Sequence, residues 1–148
     1  MRIEAICPRR CLKLDAMFKY QFKPRFSDID RYGIAHHSRY FDWFEEARFY
    51  WLDKVLKVSK EDQFELYTPL INLSAEYKKS IIFEQDYVVL CKVIMNDFKA
   101  MVRFEYKIMD VSEDILFSTG HTEHVFTTSN GELLLEIPEY LVEQSKLL

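Results

Sequence analysis

The chain has 148 residues and a mass of 17.8 kDa, enough for one domain with one sizeable core and too little for two. With 49% hydrophobic and 30% charged residues, 12 Phe and 9 Tyr against 3 Gly and 4 Pro, it is neither disordered nor collagenous, and no apolar run approaches the roughly 20 residues of a membrane-spanning helix. The net charge of −4 divides into +5 over residues 1–25 and −9 over the rest, which makes the body a poor nucleic-acid binder; neither a nucleic acid nor a membrane is expected as a partner.

Residues 1–16 show no clean period and are read as an N-terminal arm or extra strand ahead of a single domain over 17–148. The start, MRIEAICPRRCLKL, lacks the apolar core of a secretory signal, so a cytoplasmic location is expected. Cys7, Cys11 and Cys91 cannot all pair within one chain, and no four ligands have zinc spacing; reduced cysteines and no metal are the expectation. Phe18, Tyr20 and Phe22 alternate with Lys19, Gln21 and Lys23, a half-buried strand. Ser27–His37 breaks that period with two Asp, one Gly and two His. From Ser38, a candidate N-cap, to about Leu56 the spacing predicts a helix with Phe41, Phe44, Arg48, Trp51, Leu52 and Val55 on one stripe.

A polar connection over residues 58–69 leads to a second group of strands. Leu70–Lys79 and Asp86–Met95 are predicted strands, with a turn at Asn96–Asp97. The cleanest signal follows: Ala100, Val102, Phe104, Tyr106 and Ile108 alternate with Met101, Arg103, Glu105 and Lys107. After a turn at Val111–Asp114, Ile115–Thr127 reads as a strand with Gly120 near its middle; Leu133–Leu135 extends the sheet, and Pro138 opens a terminal helix. His121 and His124, three apart in a strand, fall on opposite faces, a poor metal pair read as surface or interface residues. One strand, one long helix and four strands without a βαβ repeat predict an α+β fold, an antiparallel sheet wrapped around one helix.

The stretch FSDIDRYGIAHHSRYFDWFEEAR, Phe26–Arg48, resembles the 4-hydroxybenzoyl-CoA thioesterase-like family of the hotdog superfamily, in which a strand is followed by Asp-x-x-Gly, an apolar pair and a helix opening around Tyr. Here those positions are Asp30, Gly33, Ile34–Ala35 and Tyr40; Ala75–Ser80, Asp86, Thr122–Val125 and IPEYL carry the resemblance over about residues 17–142. It implies a long central helix in a curved antiparallel sheet, assembled as a homodimer or a dimer of dimers with sites near the helix N-terminus. It also implies hydrolysis of an acyl-CoA thioester to free acid and CoA, with no cofactor beyond the CoA of the substrate.

In that resemblance the catalytic carboxylate falls on Asp30, as nucleophile or general base, and Asp28 on a more variable position. The backbone N–H that polarises the carbonyl falls on His37, whose side chain either meets the ligand or bonds locally. Gly33, Ile34 and Tyr40 are the candidate substrate-binding residues, and Lys78 and Arg103, with Lys79 and Lys107, are candidates for the phosphates. Glu45 and Glu46 are read as surface ion pairs. Hydrolysis on acyl carrier protein and a non-catalytic acyl-CoA-binding role are the alternatives.

Overall fold

Strand alternation sets the inner face of the sheet. Val102, Phe104, Tyr106 and Ile108 are buried, while Met101, Arg103 and Glu105 between them are half-exposed on the outer face. The computed structural model describes residues 17–55, 67–96 and 99–146. The arm of residues 1–16 with Cys7 and Cys11, most of the connection before β2 and Asp97 lie outside the described residues.

The elements are β1 (Met17–Phe22), α1 (Arg39–Tyr50), β2 (Leu70–Tyr77), β3 (Tyr87–Asn96), β4 (Met101–Asp110), β5 (Leu116–Val125) and α2 (Glu139–Lys146). Helix α1 runs on into a wider turn over Trp51–Val55. The strands form one antiparallel sheet in the order β1-β3-β4-β5-β2. This is the hotdog architecture: a curved antiparallel sheet with one main helix packed in it. Leu133 meets Thr127 in an isolated bridge and does not extend the sheet as a strand. No described helix is long and apolar enough to cross a membrane.

The buried side of α1 is centred on Tyr40, Trp43, Phe44, Ala47 and Trp51, and Phe41 is half-buried on its flank. The stripe is therefore rotated toward Trp43 and Ala47 relative to the spacing expected from Phe41. Aromatic stacking fixes that rotation: Phe22 lies 4.4 Å from Trp43, and Phe44 lies 4.4 Å from Tyr106 with only 7° between planes. Gly120 of β5 makes room for Phe44. A Cβ there would lie 2.6 Å from the Phe44 ring and 2.6 Å from the Ser74 carbonyl oxygen. Cys91 is buried in the same core, and burial pushes its thiol well above the usual range.

Among the described residues β2 is an edge strand paired only with β5. Leu70, Ile71, Leu73 and Tyr77 on it are each 40–52% exposed. Exposed large apolar side chains on an edge mark a surface with pairing capacity.

Candidate active site

The segment between β1 and α1 is a small hairpin that ties itself together. Ile29 and Ala35 form an antiparallel bridge, the Asp30 N–H donates to the Ile34 carbonyl at 2.8 Å, and the Gly33 N–H donates to the Asp30 carbonyl at 3.0 Å. Gly33 has φ +80°, the left-handed conformation that closes such a turn. Nothing lies within 4 Å of a Cβ built there, so this glycine serves backbone conformation and not a close approach. The Asp30 Oδ1 accepts the Tyr32 N–H at 2.7 Å, an Asx turn that orients the carboxylate.

The hairpin is anchored at both ends. The Ala35 N–H donates to the Ile81 carbonyl at 2.8 Å, and Ile34 bridges Ile82. Asp28, which the sequence placed at a variable position, is 1% exposed. Its Oδ2 accepts the Arg25 N–H at 2.7 Å, the guanidinia of Arg25 and Arg39 lie 3.6 and 3.7 Å from its oxygens, and its carbonyl accepts the His36 N–H at 2.9 Å. Asp28 is the buried tie beneath the loop.

At the start of α1, Ser38 stands in the N-cap position but makes no side-chain cap; its hydroxyl meets His36 Nδ1 at 2.8 Å. His36 and His37 lie with ring centroids 4.1 Å apart. The His37 carbonyl accepts the Tyr77 hydroxyl at 3.0 Å, whereas its N–H has no hydrogen-bond partner among the described residues. A donor left over at a helix N-terminus is the group that stabilises negative charge developing on oxygen.

Asp30, Ile34, His37, Tyr40 and Lys78 come together around one cavity of about 370 Å³, with Ala35, Tyr77, Lys79 and Ser80. Tyr40 is 3% exposed and forms the wall, edge-on to Tyr77 at 4.7 Å, and its burial raises its hydroxyl pKa. Strand alternation would send Lys78 and Lys79 to opposite faces. Both N–H groups instead donate to the single carbonyl of Phe117, at 2.8 and 3.1 Å, and this bulge lets both residues border the cavity, with the Lys78 ammonium paired to Glu76 at 2.7 Å.

Two expected residues lie elsewhere. Gly33 shapes the hairpin without lining the cavity. Arg103 sits on the outer face of the sheet, in ion pairs with Glu105 at 3.2 Å and Glu123 at 2.9 Å, beside a different cavity that also takes Lys107. Glu46 accepts the Tyr20 hydroxyl at 3.0 Å and Glu45 faces Arg48 at 3.5 Å. His121 is on the outer face, 2.7 Å from the Ser74 hydroxyl, but His124 is a core residue at 2% exposure and not a surface one. Tyr77 and Ser80 were not among the candidate site residues, Ala35 stood only in the apolar pair of the motif, and Lys79 was a phosphate candidate; the end of β2 was the signal for Tyr77, and no local pattern announced the bulge.

The thioesterase-like superfamily matches residues 24–144 of the chain. A protein of Aquifex aeolicus (strain VF5) with the word esterase in its name is 31% identical over 130 residues, 87% of this chain and 98% of its own length. The solved structure of a 1,4-dihydroxy-2-naphthoyl-CoA thioesterase from Synechocystis superposes with a TM-score of 0.78 at 16% identity, covering 90% of this chain and 98% of that one. A DHNA-CoA thioesterase from Staphylococcus aureus gives 0.76 at 24% identity, covering 88% and 90%. At these identities the two structures speak for the fold.

Proposed function

Because the chain belongs to the thioesterase-like superfamily, we propose that it hydrolyses an acyl-CoA thioester to the free acid and CoA at the Asp30 cavity. The observation that carries this is that Asp30 and His37, whose N–H has no partner among the described residues, line one cavity by the N-terminus of α1. The thioester oxygen takes the His37 N–H, and the α1 dipole adds to the stabilisation of the oxyanion. Asp30 then has two routes. As general base it takes a proton from water while the hydroxide adds to the carbonyl carbon; the C–S bond breaks and the CoA sulfur takes the proton. As nucleophile it forms an acyl–carboxyl anhydride with loss of the CoA thiolate, and water hydrolyses the anhydride. At the rim Lys79 suits the phosphates of CoA, whereas the Lys78 ammonium is paired with Glu76 and must leave it to do the same; Tyr40 and Ile34 flank the acyl group.

A second copy of the chain completes the assembly. The exposed edge of β2 ends at Tyr77, which lines the cavity, so a strand added there lies against the site. Light scattering is expected to give a multiple of 17.8 kDa; a fully active monomer overturns this.

The test of the chemistry is a hydrolysis screen over short, medium, long and aromatic acyl-CoAs, followed by Asp30→Asn on the best substrate. The asparagine keeps the Tyr32 hydrogen bond but is neither base nor nucleophile, so kcat is expected to fall by about 10²–10⁴. His37→Ala is expected to be milder, because the backbone donor survives. Retention of more than about a third of wild-type kcat by Asp30→Asn refutes its assignment.

A further inference from the structure

A second cavity opens between α1 and β2, farther along the helix from the Asp30 site. It holds about 140 Å³, close to the volume that admits a single benzene ring. Phe41, Leu70 and Leu73 make its sides, and Arg48 and Tyr106 contribute polar groups. Leu70 joins Leu73 because a register shift between Leu70 and Asn72 interrupts the alternation of β2. The eleven residues from His37 to Arg48 span roughly 16 Å of helix, and helical side chains lean back toward the N-terminus. The two cavities share no lining residue, but His37, Phe41 and Arg48 lie on one side of the helix, so an acyl group that follows this side past Phe41 reaches Arg48 roughly 10–16 Å from its carbonyl carbon.

The polar groups are directed. His124 is neutral at pH 7, since burial and the nearby Arg48 push it down to about 4. The Thr68 carbonyl, 2.9 Å from His124 Nδ1, fixes the proton on that nitrogen, so Nε2 accepts the Thr122 hydroxyl at 2.9 Å. Thr122 in turn accepts the Tyr106 hydroxyl at 2.8 Å. The Tyr106 proton is thus committed inward, and its oxygen keeps accepting capacity. Arg48 is 8% exposed; one Nη donates to the Thr68 hydroxyl at 2.9 Å and the other faces Glu45 at 3.5 Å. A guanidinium has five N–H donors, more than these contacts use. An all-carbon ligand end would strip water from these groups and replace nothing. An oxygen replaces it, accepting from Arg48 and, if a hydroxyl, donating to Tyr106. Glu45 and Asp42 at the rim disfavour a carboxylate.

We propose that this cavity is the acyl-end subsite, and that Arg48 makes it select acyl groups bearing an uncharged hydroxyl or carbonyl oxygen far from the thioester. The inference rests on the thioesterase reading above.

The test compares octanoyl-CoA with 8-hydroxyoctanoyl-CoA and decanoyl-CoA with 10-hydroxydecanoyl-CoA, in wild type, Arg48→Met and Tyr106→Phe. Wild type is expected to favour the hydroxylated member of at least one pair tenfold or more in kcat/KM. In Arg48→Met that ratio is expected to fall to within about twofold of one, whatever the absolute rate. Tyr106→Phe is expected to lower it severalfold and carries the test if Arg48→Met does not fold. Equal hydrolysis within both pairs by wild type, or a preference that survives both substitutions, overturns the subsite while leaving the thioesterase reading intact. If no acyl-CoA is turned over, that reading fails instead, and calorimetry with 10-hydroxydecanoate and decanoate decides the subsite: tighter binding of the hydroxy acid that depends on Arg48 supports it, and equal binding overturns it.

Discussion

Gly120→Ala is expected to destabilise the protein although it adds one methyl group to a strand, where alanine is ordinarily the better residue. Relief of glycine's chain entropy would favour the variant by roughly 0.5–1 kcal/mol. Against that, the new Cβ would stand 2.6 Å from the Phe44 ring and 2.6 Å from the Ser74 carbonyl oxygen. Neither neighbour gives easily. Phe44 is fully buried and stacked on Tyr106, and the Ser74 oxygen belongs to the backbone of β2. Overpacking of this kind costs about 1–3 kcal/mol, and with both neighbours rigid we expect the upper half of that range and a net loss of about 2 kcal/mol. For a domain of this length that lowers Tm by about 4–8 °C. Scanning calorimetry, with a urea midpoint at unchanged m, measures it. The double variant with Phe44→Leu is expected to lose less than the sum of its parts, because the smaller side chain yields to the methyl group. A Gly120→Ala protein as stable as wild type refutes the close-approach argument.

Asp28→Asn is expected to cost about 1–3 kcal/mol, because it removes the buried charge that faces Arg25 and Arg39; Asp30→Asn is expected to be neutral in Tm, so thermal melts separate the tie from the reacting carboxylate. His124, lowered to about 4 in the folded protein from an ordinary 6.5, takes up its proton more readily when unfolded. Stability is therefore expected to fall as pH drops from about 6.5 toward 4, and His124→Gln is expected to flatten that part of a Tm–pH profile; an unchanged slope contradicts the burial argument.

The sheet was legible because its signal is local. In β4 every second residue is apolar, and those residues form the inner face. The same alternation already placed Arg103 outside, with its neighbours Val102 and Phe104 facing the helix, and that constraint outweighs the attraction of a cation for phosphate. Asp30, His37 and Tyr40 were legible as a resemblance, and the cavity now joins them. What escaped depends on contacts distant in sequence. Nothing beside Lys78 and Lys79 shows that Phe117 will take both N–H groups, and nothing near Asp28 shows that Arg39, across a turn, will cover it. Arg48 and His124 are 76 positions apart, and only the packing of α1 on β5 brings both to one cavity. The rotation of α1 was missed because an aromatic-rich helix offers several stripes of similar hydrophobicity, and the ring stacking that chooses among them is tertiary.

The hairpin between β1 and α1 has an evolutionary consequence. Its hydrogen bonds run from Arg25 to Asp28, from Asp28 to His36, and between Asp30, Gly33 and Ile34, all within one short stretch. The sheet supplies the backbone of Ile81 and Ile82 as its anchor, and main-chain atoms are indifferent to side-chain identity. Asp30 and the first turn of the helix can therefore be inherited as a cassette. The sheet must keep the inner-face residues that seat the helix, Phe22, Tyr106 and Gly120, and Tyr77 at the cavity, while its outer face is open to drift in composition and charge.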